Sequence, residues 1–411
     1  MSFDPHAPEL ELLTTFRRDL HRIPELDFEL PQTIAYVEFV LSQLSCEVVH
    51  PCKSCVCAYF DAGAKLTTAV RADMDALPIT EETGCAFSST HPGKMHACGH
   101  DAHMAMALTA AVGVDRELRE HPGSLPRNVL FVFQPAEETT GGAKLVCESG
   151  VFERFRCDRI FGFHVWPDLP AGTLASRPGP LLARSSETHI AIHGVSTHIA
   201  KTYGVSDVDS HDAMLAAARF VVGERWLMSR LGQEEPCICK FGELTAGTVC
   251  NAVAGEAKIA GSLRVFSDKM FDRAKDELRE LLRQACEGTG CTGEVAFAEG
   301  YPPVANDAAL YGLASEALPE LQNLKDPLLI AEDFAFYQRH LPGVFFLLGV
   351  GEPQGDAGAG IDATGISAAD IDGAAVGLGF AHSALHTDTL MFDERILLEG
   401  VSVYRRLLHE A

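Results

Sequence analysis

Residues 94–105 read KMHACGHDAHMA and bring Cys98, His100 and Asp101 together with two more histidines, His96 and His103. A thiolate and an imidazole two residues apart in a turn can hold one cation or two neighbouring ones, and both ligand types suit zinc and its borderline neighbours. Taken alone, the pair also reads as a buried cysteine beside a capping histidine. A second stretch, QPAEE, sets Glu137 and Glu138 side by side at the end of an apolar run. Two adjacent carboxylates repel unless a shared proton or a cation holds them, and a metal pair is the simplest remedy. Such a set suits amide hydrolysis, which needs a nucleophile at neutral pH. A metal-activated water supplies it while a carboxylate takes the proton. One glutamate can then ligate while its neighbour acts as base.

These residues need elements that deliver them to one place. Three apolar runs end in polar groups: KLTTAVRADMD reaches Asp73 and Asp75, RNVLFVFQPAEE reaches Glu137 and Glu138, and DRIFGFHVWP reaches His164. In open α/β sheets, sites gather beyond the carboxyl ends of strands. Amphipathic helices are expected over PELELLTTFRRDLHRI and PQTIAYVEFVLSQL. A third, DAHMAMALTAAVGV, is expected to start at Asp101 as its N-cap. From about residue 185 the pattern changes to strand, helix, strand, strand, helix, strand, which is the split βαβ order. The expected fold class is α/β: a catalytic domain with a central, mostly parallel sheet flanked by helices, formed by 1–184 and 300–411, plus an inserted α+β ferredoxin-like domain at 185–299. The Gly-, Ala- and Asp-rich stretch at 352–379 reads as a surface loop.

Composition excludes some functions. A chain of 411 residues with 47% hydrophobic content can bury a sizeable core. A formal charge of −24 disfavours nucleic acid, and the absence of a long apolar run disfavours membrane insertion or export. Thirteen scattered cysteines fit a reducing compartment, so a cytoplasmic location is expected. Cys52, Cys55 and Cys57 lack a partner pair at zinc-finger spacing and read as small strand residues.

Nearly the whole chain resembles the dinuclear metal amidohydrolases of the aminoacylase, hippurate hydrolase and indoleacetate–amino-acid hydrolase type. The resemblance runs through RRDLHRIPELDFEL, RADMDALPITEETG, MHACGHDAHMAMAL, FQPAEE with GGAKL, FGFHVWPDLPAGTL, EGYPPVAND, AEDFAFY and LHTDTLMFDE. It implies five metal ligands, Cys98, His100, Glu138, His164 and His386, with Glu137 as general base and Asp75 as a carboxylate behind the metals. It further implies two divalent cations per subunit, manganese or zinc, with cobalt and nickel as further candidates. The inserted domain corresponds to the family's lid and dimerisation domain, and a homodimer through it is expected. His198, in HGVSTHIAK, matches the oxyanion donor, although the paired glycines and following proline usual in relatives are missing. Asn251 and Arg264 match substrate-facing positions, and an arginine suits a carboxylate. His96 and His103 read as bystanders, His21 as ordering an N-terminal turn, and Glu332 or Asp333 as supporting loops near the metals. The implied activity is hydrolysis of small N-acyl amino acids. A dipeptidase or carboxypeptidase with the same centre and a non-catalytic binding protein on the same fold are the alternatives.

Overall fold

The computed structural model describes residues 3–139, 141–351 and 384–410; the loop expected at 352–379 lies outside them. The chain begins with α1 (Glu9–His21), α2 (Pro31–Leu41), β1 (Glu47–Val49), β2 (Val56–Phe60), β3 (Thr67–Asp73), α3 (His100–Glu120) and β4 (Asn128–Gln134). There follow α4 (Gly142–Glu148), α5 (Val151–Arg154), β5 (Cys157–Pro170), β6 (Leu174–Ser176) and β7 (Gly179–Leu182). The middle of the chain holds β8 (Arg184–His193), α6 (Asp207–Ser210), α7 (Ala213–Leu231), β9 (Ile238–Ala246), β10 (Glu256–Val265), α8 (Asp268–Glu287) and β11 (Thr292–Phe297). The last elements are β12 (Val304–Asn306), α9 (Ala308–Ala317), β13 (Gln322–Asn323), β14 (Gly343–Gly351) and α10 (Leu397–Leu408).

Two compact units result. The inserted one comprises Leu182–Pro303 and Leu329–Glu332, and the rest of the chain forms the other. The short Leu329–Glu332 segment joins the insert because Ala183 N–H donates to the Ile330 carbonyl at 2.8 Å and Arg264 Nη1 donates to the Leu329 carbonyl at 2.7 Å.

The larger unit is built on a sheet in the order β1-β2-β4-β3-β5-β14-β6-β13. Its centre, β4-β3-β5-β14, is parallel. Every residue of β3 and β4 is buried, as expected of parallel strands covered on both faces. Pairing of β3 with β4 runs from Thr67↔Asn128 to Asp73↔Gln134, so both strands end level. The residues that follow, 74–75 and 135–138, therefore leave from the same sheet edge. Phe16, Leu20, Met104, Leu108, Phe131, Phe163, Phe346 and Tyr404 share the core that fixes this arrangement. Each such side chain contributes about 1.5–3 kcal/mol when fully buried.

The inserted unit is an antiparallel sheet, β11-β8-β10-β9, with α7 and α8. This is the ferredoxin-like arrangement expected from the element order. Along β8, buried Ser186, Thr188, Ile190 and Ile192 alternate with exposed Glu187, His189 and His193 and half-buried Ala191. The period of two puts one face on the helices. Helix α8 buries Phe271, Ala274, Leu278, Leu282 and Ala285 along one stripe, and Ser267 Oγ caps it by accepting from Met270 N–H at 3.0 Å.

Candidate metal centre

Cys98 and His100 enter α3 through a tight turn. Its pivot, Gly99, has φ +85°, and a Cβ there would stand 2.5 Å from Val165 Cγ2. Both the backbone and the space require glycine. A Gly99→Ala protein is expected to lose at least about 1 kcal/mol in denaturant unfolding and to bind metal more weakly in a chelator competition. Asp101 is not the cap expected from the sequence. The helix already starts at His100, so Asp101 falls within its first turn, where its Oδ2 accepts from Arg17 Nε at 3.2 Å and pairs with His21 Nδ1 at 2.7 Å.

Glu137 and Glu138 follow β4, and the carboxylate of Asp75 holds them in place. Its Oδ1 accepts from Glu137 N–H at 2.9 Å and its Oδ2 from Glu138 N–H at 3.1 Å. The Asp75 carbonyl lies 2.7 Å from His100 Nδ1 and accepts the proton there, which leaves Nε2 as the nitrogen that could hold a cation. His164 is oriented likewise, with Nδ1 2.6 Å from the Val165 carbonyl and Nε2 3.2 Å from Cys98 Sγ. It is not at a strand end, because β5 continues to Pro170 alongside β14. Its other neighbour, β3, pairs only as far as Arg71↔Gly162, so His164 lies just past that ladder, level with the last residue of β3. His386 is pinned by its N–H on the Ala97 carbonyl at 2.8 Å, and its Nε2 lies 3.4 Å from Glu138 Oε1.

The five side chains matched to ligands thus come together with Glu137. Within them, Cys98, His100 and His164 form one group of mutually close ligand atoms, Cys98, Glu138 and His386 a second, and His100, Glu137 and Glu138 a third. His103 is excluded from ligation: Nδ1 binds Asp73 Oδ1 at 2.6 Å and Nε2 accepts from Val165 N–H at 2.9 Å. His96 is buried with neither ring nitrogen hydrogen-bonded. Burial, opposed by Asp101, lowers its pKa to about 3.

The charges of the site describe a place shaped for cations. Buried His100 Nε2 and Glu138 Oε1 both lack a hydrogen-bond partner and face each other at 3.8 Å. Burial and the nearby Glu138 and Glu137 carboxylates push the Cys98 thiol well above its ordinary range. Although burial works against it, Asp73 and Asp75 raise His100 to about 10. Against the same burial, His386 and His100 bring Glu138 to about 2. Burial and His103 lower His164 to about 3. Sulfur, imidazole nitrogen and carboxylate oxygen are the donor set of zinc and its neighbours, so these residues fit divalent cations.

Asp333 supports this edge, the role expected of Glu332 or Asp333, but reading the strand ends alone missed Arg71 and Gln134. Arg71 is fully buried; it donates to Asp73 at 2.6 Å, to Asp333 at 2.8 Å and to Gln134 at 2.8 Å. Asp333 Oδ2 also accepts from Gln134 Nε2 and from Ala143 N–H. The available signal was a charged or amide side chain within otherwise apolar strands, which must find partners when buried. His198, Asn251 and Arg264 belong to the inserted unit. His198 is exposed and bridges to Ala252, and its Nδ1 accepts from Ala200 N–H at 3.1 Å. Asn251 accepts from Ile199 N–H in the same turn.

A soft-to-borderline ligand set at the carboxyl edge of a parallel sheet, with a carboxylate beside it, is the apparatus of a metal-dependent amide hydrolase. The sequence profile of peptidase family M20/M25/M40 matches residues 69–359. The chain belongs to this family and is a hydrolase of amide bonds. It is 35% identical over 354 residues to an N-acetyldiaminopimelate deacetylase of Streptococcus uberis, covering 83% of this chain and 91% of that protein. It is 34% identical over 351 residues to the Oceanobacillus iheyensis protein of the same name, covering 84% and 92%. The crystal structure of the Bacillus subtilis YXEP protein, described as a dinuclear metal binding peptidase from the M20 family, superposes with a TM-score of 0.77. The identity is 28%, with 97% of each chain covered.

Proposed function

We propose that this protein hydrolyses the amide bond of small N-acyl amino acids, releasing a carboxylic acid and a free amino acid. Two divalent cations would be held by Cys98, His100, Glu138, His164 and His386. The observation that carries this reading is the hold of Asp75 on both Glu137 and Glu138, which keeps one carboxylate for ligation and the other beside it for proton transfer. The naming of two relatives as deacetylases of an acylated amino acid supports the substrate class, and the description of the Bacillus protein supports two cations. Manganese or zinc is the expected metal.

Bound cations supply Lewis acidity and water activation. Glu137 takes the proton of the attacking water and returns it to the departing amine. His198, with Nδ1 already accepting, carries its proton on Nε2 and donates to the oxyanion. Asn251 contacts the substrate, and Arg264 binds its carboxylate. Acetyl, benzoyl, fatty-acyl and aminoacyl conjugates, assayed with manganese, zinc and cobalt, test the reading. Release of free amino acid from the acyl conjugates is expected. Cleavage of aminoacyl conjugates alone would instead make the protein a dipeptidase, and no cleavage at all would make it a binding protein.

The same proposal includes a cytoplasmic homodimer formed through the inserted unit. Its edge strand β9 exposes Leu244, while α7 exposes Val222 and Trp226, the latter by 72%. Unpaired edges and exposed apolar surface mark association sites. A Trp226→Arg protein is expected to show about half the wild-type mass in light scattering, whereas an unchanged mass would argue against this interface. Among the described residues, no helix is long and apolar enough to cross a membrane, and all thirteen cysteines are free thiols.

A further inference from the structure

A second group of ligand-type side chains lies in the larger unit and takes no part in the centre described above. His21 at the end of α1, with Glu81 and Cys85 in the segment between β3 and α3, places Nε2, a carboxylate oxygen and Sγ all within 4.8 Å of one another. His21 Nε2 is 3.3 Å from Glu81 Oε1, and Cys85 Sγ is 3.8 Å from the same oxygen. Zinc bonds of ordinary length at tetrahedral angles put nitrogen, oxygen and sulfur ligands about 3.4–3.7 Å apart.

The surroundings are those of a metal ligand set. Asp101 Oδ2 takes the Nδ1 proton of His21 at 2.7 Å, the carboxylate–histidine arrangement that aims the other nitrogen at a cation. Nε2 therefore points at a carboxylate with either a proton or a cation between them. Glu81 is itself oriented by Ser89 N–H at 2.6 Å and by the Thr83 hydroxyl. His21 is buried, whereas Glu81 and Cys85 are half-buried residues, which leaves a side from which solvent could supply a fourth ligand.

We propose that His21, Glu81 and Cys85 form a structural site for one zinc-class divalent cation, separate from the catalytic pair. Its role follows from its place in the chain. Residues 74–99 run without a helix or strand between β3 and α3, and Cys98 lies just before their end. Backbone bonds between Leu77 and Met95 and from Thr90 N–H to the Arg22 carbonyl already hold parts of this segment, and an ion at Glu81 and Cys85 adds a tie at its middle. The ion staples its middle to the end of α1 and, through Asp101, to the first turn of the helix that carries His100. The proposal does not depend on the substrate class.

Cobalt(II) titration of a Cys98→Ser protein isolates the site, since the catalytic centre then offers no thiolate. One equivalent of cobalt with thiolate charge-transfer absorption is expected, and that band should vanish in Cys98→Ser/Cys85→Ser and weaken in Cys98→Ser/Glu81→Gln. Wild-type protein dialysed against zinc should retain three ions per chain by mass spectrometry of the metal, and Cys85→Ala protein two. This count settles the matter even if a double variant fails to fold. No more than two ions in the wild type, or a charge-transfer band that survives loss of Cys85, would overturn the proposal.

Discussion

Glu137→Gln protein is expected to keep its fold and its metal content while turnover falls by about 10²- to 10⁴-fold, the usual contribution of a general acid–base group. The substitution preserves size and leaves both bonds to Asp75 intact, because Asp75 binds the backbone N–H groups of Glu137 and Glu138 and not their side chains. What disappears is a carboxylate able to accept a proton. The loss should fall on kcat with little change in KM, since the group acts on the reacting atoms in the transition state. Metal analysis beside steady-state assays checks this. A metal-loaded variant retaining more than a tenth of wild-type turnover would remove Glu137 from the role.

Asp75→Ala should produce the other large effect, by a different route. Both carboxylate oxygens are engaged at 2.9 and 3.1 Å, and deleting them strands two amide protons at a buried turn. Each unsatisfied group costs about 1–3 kcal/mol. The bond from His100 Nδ1 goes to the Asp75 carbonyl and survives the change. Glu138 therefore loses its orientation while His100 keeps its own. Metal affinity is expected to fall about 10- to 100-fold, with a loss of stability in the metal-free protein. Asp75→Asn, which keeps one acceptor oxygen, should lie between. Chelator competition and urea unfolding report the two effects separately, and an affinity within twofold of wild type would show that Asp75 does not hold the ligand turn.

The sheet edge was legible because β3 and β4 announce themselves as apolar runs ending in ionisable residues, and parallel strands bring such ends together, whereas β5 runs on past His164 to Pro170. The inserted fold was legible from the order of its elements, with β8 alternating and α8 striped. The role of Asp75 was only half visible. A sequence shows a carboxylate near ligands, but its grip on two backbone amides depends on the level ends of β3 and β4. Asp101 misled for a related reason: an aspartate before an apolar run is a good cap, yet the cap falls two residues earlier at Gly99, and Arg17 and His21 claim the side chain. Arg71 and Asp333 are 262 positions apart and meet only through tertiary packing. No local pattern announces such a pair.

The attachment of His386 to Ala97 has a consequence for biosynthesis. Of the proposed ligands, Cys98, His100, Glu138 and His164 are translated before the inserted unit, and His386 long after it. Domains tend to fold as units while the chain is being made, so the insert can mature while the ligand set still lacks its final member. A ribosome-bound chain halted before residue 386 would carry an unfinished centre, and full metal capture would be tied to near-completion of synthesis.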